Sequence, residues 1–242
     1  MAFAKKDIKI KIPESNIQRA ILTIKSDSPL IYHKWSEKAK EMMRVKQQKL
    51  ATKGRETRDP IDDYSNTPYI NQSGELCVRG AWFKEAIVAA TRNIEGVTMT
   101  LIRGAMFITT DQSDLIPVYS IMGKKKVAIV PTSGATSSSK KRLKVTLFDP
   151  DDRPEGLFGF DPKHPKNILM REDMVRVGMG SADLRYRLQL NDWLCDLEIR
   201  FNADVISLEQ IANLINIAGF ACGVGEQRPE RGGNNGTFSV AQ

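Results

Sequence analysis

The chain has 242 residues, 41% hydrophobic and 27% charged, which suits one large domain with insertions and excludes a globally disordered polymer. No apolar run approaches the roughly 18 residues that cross a bilayer as a helix, so no membrane partner is expected. A net charge of +7 and a pI near 9.3 favour anionic partners by long-range attraction, but say nothing about fold.

Residues 1–11 alternate lysine with short apolar residues and lack the apolar core of a secretory signal. The expected location is therefore cytoplasmic. Cys77, Cys195 and Cys222 are widely spaced among apolar neighbours and read as buried, reduced thiols. With two histidines and no Cys-x-x-Cys, neither a metal site nor a cofactor is expected.

Ile17, Ala20, Leu22 and Ile24 place a strand over 17–26, broken by Asp27-Ser28-Pro29. Ser36 can cap a helix to about Thr52, with an apolar stripe of Ala39, Met42, Met43, Val45 and Leu50. Residues 53–68 are polar and proline-broken and predict a loop. A short strand at Leu76–Val78 leads into a helix over Ala81–Ile94, stopped by Gly96. Thr98–Thr109, rich in β-branched and apolar residues, predicts a strand.

The middle of the chain reads differently. Leu115–Val130 predicts a hairpin around Met122-Gly123-Lys124. Thr132–Arg142 is a Ser/Thr/Gly/Lys tract that cannot bury a core, and Asp149–Lys166 is a proline-rich irregular loop. Asp149, Asp151 and Asp152 belong to that loop and are not read as a cation site.

Alternation returns at Trp193–Phe201, with Trp193, Cys195, Leu197, Ile199 and Phe201 inward. Ser207 and Gln210 have capping-box spacing, and Leu208, Ile211, Ala212, Leu214 and Ile215 define the apolar face of the helix they open. Gly219 reads as the residue just past its end. Thr237–Val240 is a last strand. This order predicts an α+β fold with a ferredoxin-like (RRM-like) core, a C-terminal glycine-rich loop and a large middle insertion. The parts are 1–110 for the first half of the core, 111–180 for a partly flexible insertion, and 181–242 for the second half.

The stretch from Gly219 to Gly236 is the most informative segment. Gly223, Gly225, Gly232, Gly233 and Gly236 permit positive φ and close backbone approach, while Arg228 and Arg231 supply charge for a phosphate backbone. It is neither a Walker loop nor a dinucleotide fingerprint, since it precedes a strand and lacks Gly-Lys-Ser/Thr. The alternative is a plain connection between helix and strand.

Two segments carry a resemblance: the strand–helix–glycine-rich loop–strand order at the C-terminus, and Val78-Arg79-Gly80-Ala81-Trp82-Phe83-Lys84-Glu85-Ala86. Together they resemble the RAMP superfamily, the CRISPR-associated backbone-type, ferredoxin-like RNA-binding proteins. Ala81 and Trp82 stand where that family has two serines, and Glu85 where it has glycine. The resemblance implies that Lys84 and the glycine-rich loop lie near bound RNA, and that copies line up along one strand. Met170–Gly178 and Ala182–Arg187 also resemble phage-encoded proteins of unassigned role.

Arg171, Arg176, Arg185 and Arg187, interleaved with Tyr186, suit phosphate contact and base stacking, or else ion pairs with Glu172, Asp173 and Asp183. Lys124, Lys125 and Lys126 form a charge run available to single-stranded nucleic acid, as do Lys140, Lys141 and Arg142. No catalytic motif is present, so no catalytic residue is assigned. The RAMP resemblance implies an endonuclease alternative through His33 and Asp27. The expected function is non-catalytic binding of single-stranded nucleic acid, RNA before DNA, by a homo-oligomer or filament. The contact residues are Lys84, Lys124, Lys125, Lys126, Arg171, Arg176, Arg185, Arg187, Arg228 and Arg231. Alternatives are a single-stranded DNA recombination or annealing protein, the RAMP-type endonuclease, and a phage structural or interaction protein.

Overall fold

Alternating apolar residues and well-placed turn signals produce eleven strands and five helices among the described residues. The structure, a computed structural model, describes residues 14–35, 37–48, 60–110, 113–122, 125–128, 168–177 and 181–241. In chain order the first elements are β1 (Ile17–Ser26), β2 (Leu30–Ile31), α1 (Glu37–Gln47), α2 (Pro60–Ser65), β3 (Tyr69–Ile70), β4 (Leu76–Arg79) and α3 (Gly80–Ala90). There follow α4 (Met99–Ala105), β5 (Met106–Thr109), β6 (Leu115–Met122), β7 (Lys125–Ala128), β8 (Ile168–Val177) and β9 (Ser181–Leu190). The chain closes with β10 (Leu194–Asn202), α5 (Leu208–Ala221) and β11 (Phe238–Val240).

The main sheet runs β11-β1-β10, and β10 shares its other edge between β5 and β6. β6 also pairs with β4 and β7, and β4 with β3. A second sheet is β2-β9-β8. All these pairings are antiparallel, so the protein is α+β with antiparallel sheets.

Helices α3 and α5 pack on each other, α3 against β5 and α5 against β11. Phe83 and Ile87 from α3 and Ile211, Leu214, Ile215 and Ala218 from α5 are buried against Ile24, Cys195, Leu197, Ile199 and Phe201 of the sheet. Phe83, Trp193 and Phe238 close an aromatic cluster, with ring centroids 5.2 to 6.4 Å apart. Burial of one sheet face against two helices supplies most of the apolar driving force in such a layer. Of the alternation expected for Trp193–Phe201, Trp193, Cys195, Leu197, Ile199 and Phe201 are buried as read, but Leu194, expected outward with Asp196, Glu198 and Arg200, is buried as well.

Four local expectations change. Thr98–Thr109 is half helix: Thr98 caps α4 by accepting from the Leu101 N–H, and only Met106–Thr109 is strand. An end cap outweighs β propensity there. Gly219 lies inside α5, which runs to Ala221; its missing side chain admits the carbonyl of Phe238. Residues 60–65, expected in a loop, form α2, with Pro60 at the first helical position where its absent N–H costs nothing. In α1, Met42 and Met43 of the expected stripe remain 55% and 43% exposed, while Ser36 and Leu50 lie outside the described residues. The tracts 132–142 and 149–166, with Asp149, Asp151 and Asp152, lie outside the described residues. The expected boundary at 180 falls at the turn between β8 and β9, which pair from Ile168↔Leu190 to Val177↔Ser181.

Candidate nucleic-acid interface

The glycine-rich loop joins α5 to β11 and is held by backbone hydrogen bonds. Gly236 N–H donates to Pro29 O (2.7 Å), Glu226 N–H to Ile31 O (3.0 Å) and Asn235 N–H to Gln227 O (3.0 Å). Gly223, Gly225, Gly232 and Gly236 all take positive φ. At Gly225 a Cβ would stand 2.7 Å from Ile31 O, and at Gly233 and Gly236 it would collide with the loop's own backbone. What these glycines approach is the chain itself; among the glycines of this loop, only Gly232 combines positive φ with open space.

Lys84 projects from α3 toward the end of α4. Its ammonium donates to the carbonyls of Ile102 and Arg103 (3.2 Å each) and of Met106, and lies 4.9 Å from the Phe107 ring centroid. It is a C-terminal cap on α4, satisfying carbonyls that the helix leaves open. Burial, with Arg103 adding to it, pulls Lys84 down to about 8, against the carbonyls that favour its charged form.

Between α3, α4, the 3-10 turn Thr91–Asn93 and the glycine-rich loop lies a cleft of about 350 Å³. Among the described residues, Lys84, Arg92, Arg103, Arg228 and Arg231 line it against two carboxylates, Glu85 and Glu230. Arg228 is committed: it donates to Gly225 O (3.1 Å) and, through two nitrogens, to Glu230 (3.1 Å each). Arg92, Arg103 and Arg231 are exposed, and no other described residue pairs with their side chains. The cleft thus joins Lys84 to Arg228 and Arg231, which lie far from it in sequence. It adds Arg92 and Arg103, which sequence reading missed. The strand expected over 98–109 hid Arg103, and Arg92 carries no pattern beyond its place at a helix end.

The remaining arginines sit on the β8–β9 hairpin. Register places Arg171 opposite Arg187 and Asp173 opposite Arg185 on one face, while Arg176 shares the other with Ala182. Asp173 bridges two of them, 2.7 Å from Arg171 Nε and 3.2 Å from an Arg187 nitrogen, and Asp183 lies 3.2 Å from Arg185. Arg187 is buried, so contact there requires that pair to open. Arg171 also donates to Gln227 (2.9 Å), tying the hairpin to the glycine-rich loop. Lys124 lies outside the described residues; Lys125 and Lys126 lie in β7, which pairs with β6.

His33 Nδ1 hydrogen-bonds Glu226 Oε1. That bond, with Arg187 and Arg228 nearby, holds the Glu226 carboxyl below its usual range despite partial burial. Asp27 instead accepts from the Ser239 hydroxyl at 3.0 Å. The three cysteines are buried and form no disulfide, and no His/Cys/Asp/Glu cluster among the described residues has metal-site geometry. No described helix is long and apolar enough to cross a membrane.

No known protein family and no curated protein matches the chain. Among solved structures it is similar to the crystal structure of Cmr6 from Pyrococcus furiosus, with 10% identity, 93% of this chain and 99% of that one covered, and a TM-score of 0.37. A likeness that distant bears on neither fold nor function.

Proposed function

We propose that this protein binds single-stranded nucleic acid, RNA in preference to DNA, in the cleft beside the glycine-rich loop, and does not cut it. The observation that carries this is the convergence of Arg92, Arg103 and Arg231, unpaired among the described residues, with Lys84 and Arg228 around one concavity. Unpaired cations facing a common groove lose stability by mutual repulsion, and a polyanion reverses that loss. The preference for RNA rests on the resemblance of Val78–Ala86 and the glycine-rich loop to the RAMP superfamily. The strand order β11-β1-β10-β5, with α3 and α5 on one face, supports a ferredoxin-like reading of the core. Repeated copies along a cytoplasmic strand belong to the same proposal.

The test is fluorescence anisotropy with a labelled single-stranded RNA across a salt series. Affinity falls with salt by about 0.7 log units per log unit for each phosphate neutralised. No binding at low salt overturns the proposal.

One observation favours the endonuclease reading. His33, held by Glu226 through Nδ1, has the orientation by a carboxylate that general bases use. Labelled RNA incubated with the protein and magnesium or manganese is expected to stay intact. Cleavage that disappears in His33→Ala would establish the enzyme instead.

A further inference from the structure

The sheet face turned away from α3 and α5 carries an unusual row. β1 pairs with β10 so that Arg19 faces Arg200, and β10 pairs with β5 so that Arg200 faces Phe107. Like charges directly opposite on neighbouring strands are destabilising, and a large aromatic left on a solvent face contributes little to folding. Yet Phe107 is 48% exposed, and in the next row Ile21 is 68% exposed. Arg19 is partly balanced by Glu198 at 3.4 Å. Arg200 has no carboxylate partner among the described residues; its guanidinium carbon lies 5.8 Å from the Phe107 ring centroid. Lys84 also reaches that ring, its ammonium 4.9 Å from the centroid, and it lines the basic cleft.

From this juxtaposition we propose that Phe107, Arg200 and Arg19 form a base-stacking and phosphate-contact subsite. It takes the single strand that occupies the cleft, which crosses onto the sheet beside Lys84. The inference rests on the nucleic-acid reading and deepens it. A nucleobase stacks on the exposed Phe107 ring, an interaction tolerant of sequence because every base has a π face. Arg200 and Arg19 contact phosphates, and the charge of those phosphates relieves the arginine opposition. Charge complementarity and continuity with the cleft identify the occupant.

The experiment compares a ten-nucleotide uridine RNA with an abasic strand of equal length, by anisotropy, on the full chain and its variants. Wild type prefers the base-bearing strand, and Phe107→Leu lowers that preference about tenfold while leaving abasic affinity unchanged. Arg200→Thr weakens both strands several-fold and makes the salt slope shallower by about 0.7, at a melting temperature equal to or above wild type. A base preference unchanged in Phe107→Leu overturns the subsite. So does an Arg200→Thr protein that melts lower but binds as wild type, since its role is then structural. If the cleft reading alone fails, an Arg92/Arg103/Arg231→Gln protein binds as wild type while Phe107→Leu still loses its preference. A wild type that binds neither strand overturns both.

Discussion

Replacing Arg92, Arg103 and Arg231 together with glutamine tests the cleft with the least structural disturbance. All three are exposed and no described residue pairs with their side chains, so each should change stability by no more than about 0.5 kcal/mol. Each lost phosphate contact removes about 0.7 from the single-strand salt slope, so the triple variant should be shallower by about 2 units. Raising salt fourfold, from about 50 to 200 mM, should therefore cost wild type about 20-fold more affinity than the variant. Lys84 and Arg228 remain, because one caps α4 and the other braces the loop. The assay is anisotropy with single-stranded RNA at five salt concentrations, with thermal denaturation as a control. A slope unchanged from wild type, in a variant that melts normally, would refute the assignment of this cleft.

Gly219→Ala puts a Cβ into the Phe238 carbonyl and 2.9 Å from the Phe238 ring, so thermal denaturation should show a loss of about 2 kcal/mol. Asp173→Asn leaves Arg171 and buried Arg187 facing each other without their shared anion. A loss of about 3 kcal/mol in urea unfolding is expected, with an unchanged m-value. Lys84 binds its proton less tightly folded, at about 8, than unfolded, at 10.5. Between these values the unfolded chain holds more protons, so this residue's contribution to stability rises as pH increases and is flat below pH 8. Lys84→Met should remove that rise from the stability–pH profile and lower stability at pH 7 by the loss of the α4 cap; a profile matching wild type would refute the assignment.

Local chemistry determined much of what forms where. The alternation at Cys195–Phe201 needs only one buried face to become most of β10, and the Ser207–Gln210 capping box opens α5 as written. Residues 17–26 likewise make β1. These elements are legible because neighbours within a few residues decide them. Arg103, Gly219 and Asp173 are not of that kind. Residues 98–105 coil behind the local Thr98 cap, but the carbonyls at their other end are satisfied by Lys84, fourteen or more residues away. Whether Gly219 ends a helix or admits β11 depends on where Phe238 packs. Whether the hairpin arginines are free or paired depends on register, which sets Asp173 between Arg171 and Arg187. The sequence by itself determined the types of β1, β10 and α5, the glycine-rich loop and the excess of positive charge. Only tertiary structure decided which cations face one cleft. Pairing between strands and capping between helices join residues distant in the chain, and a one-dimensional pattern carries no record of those distances.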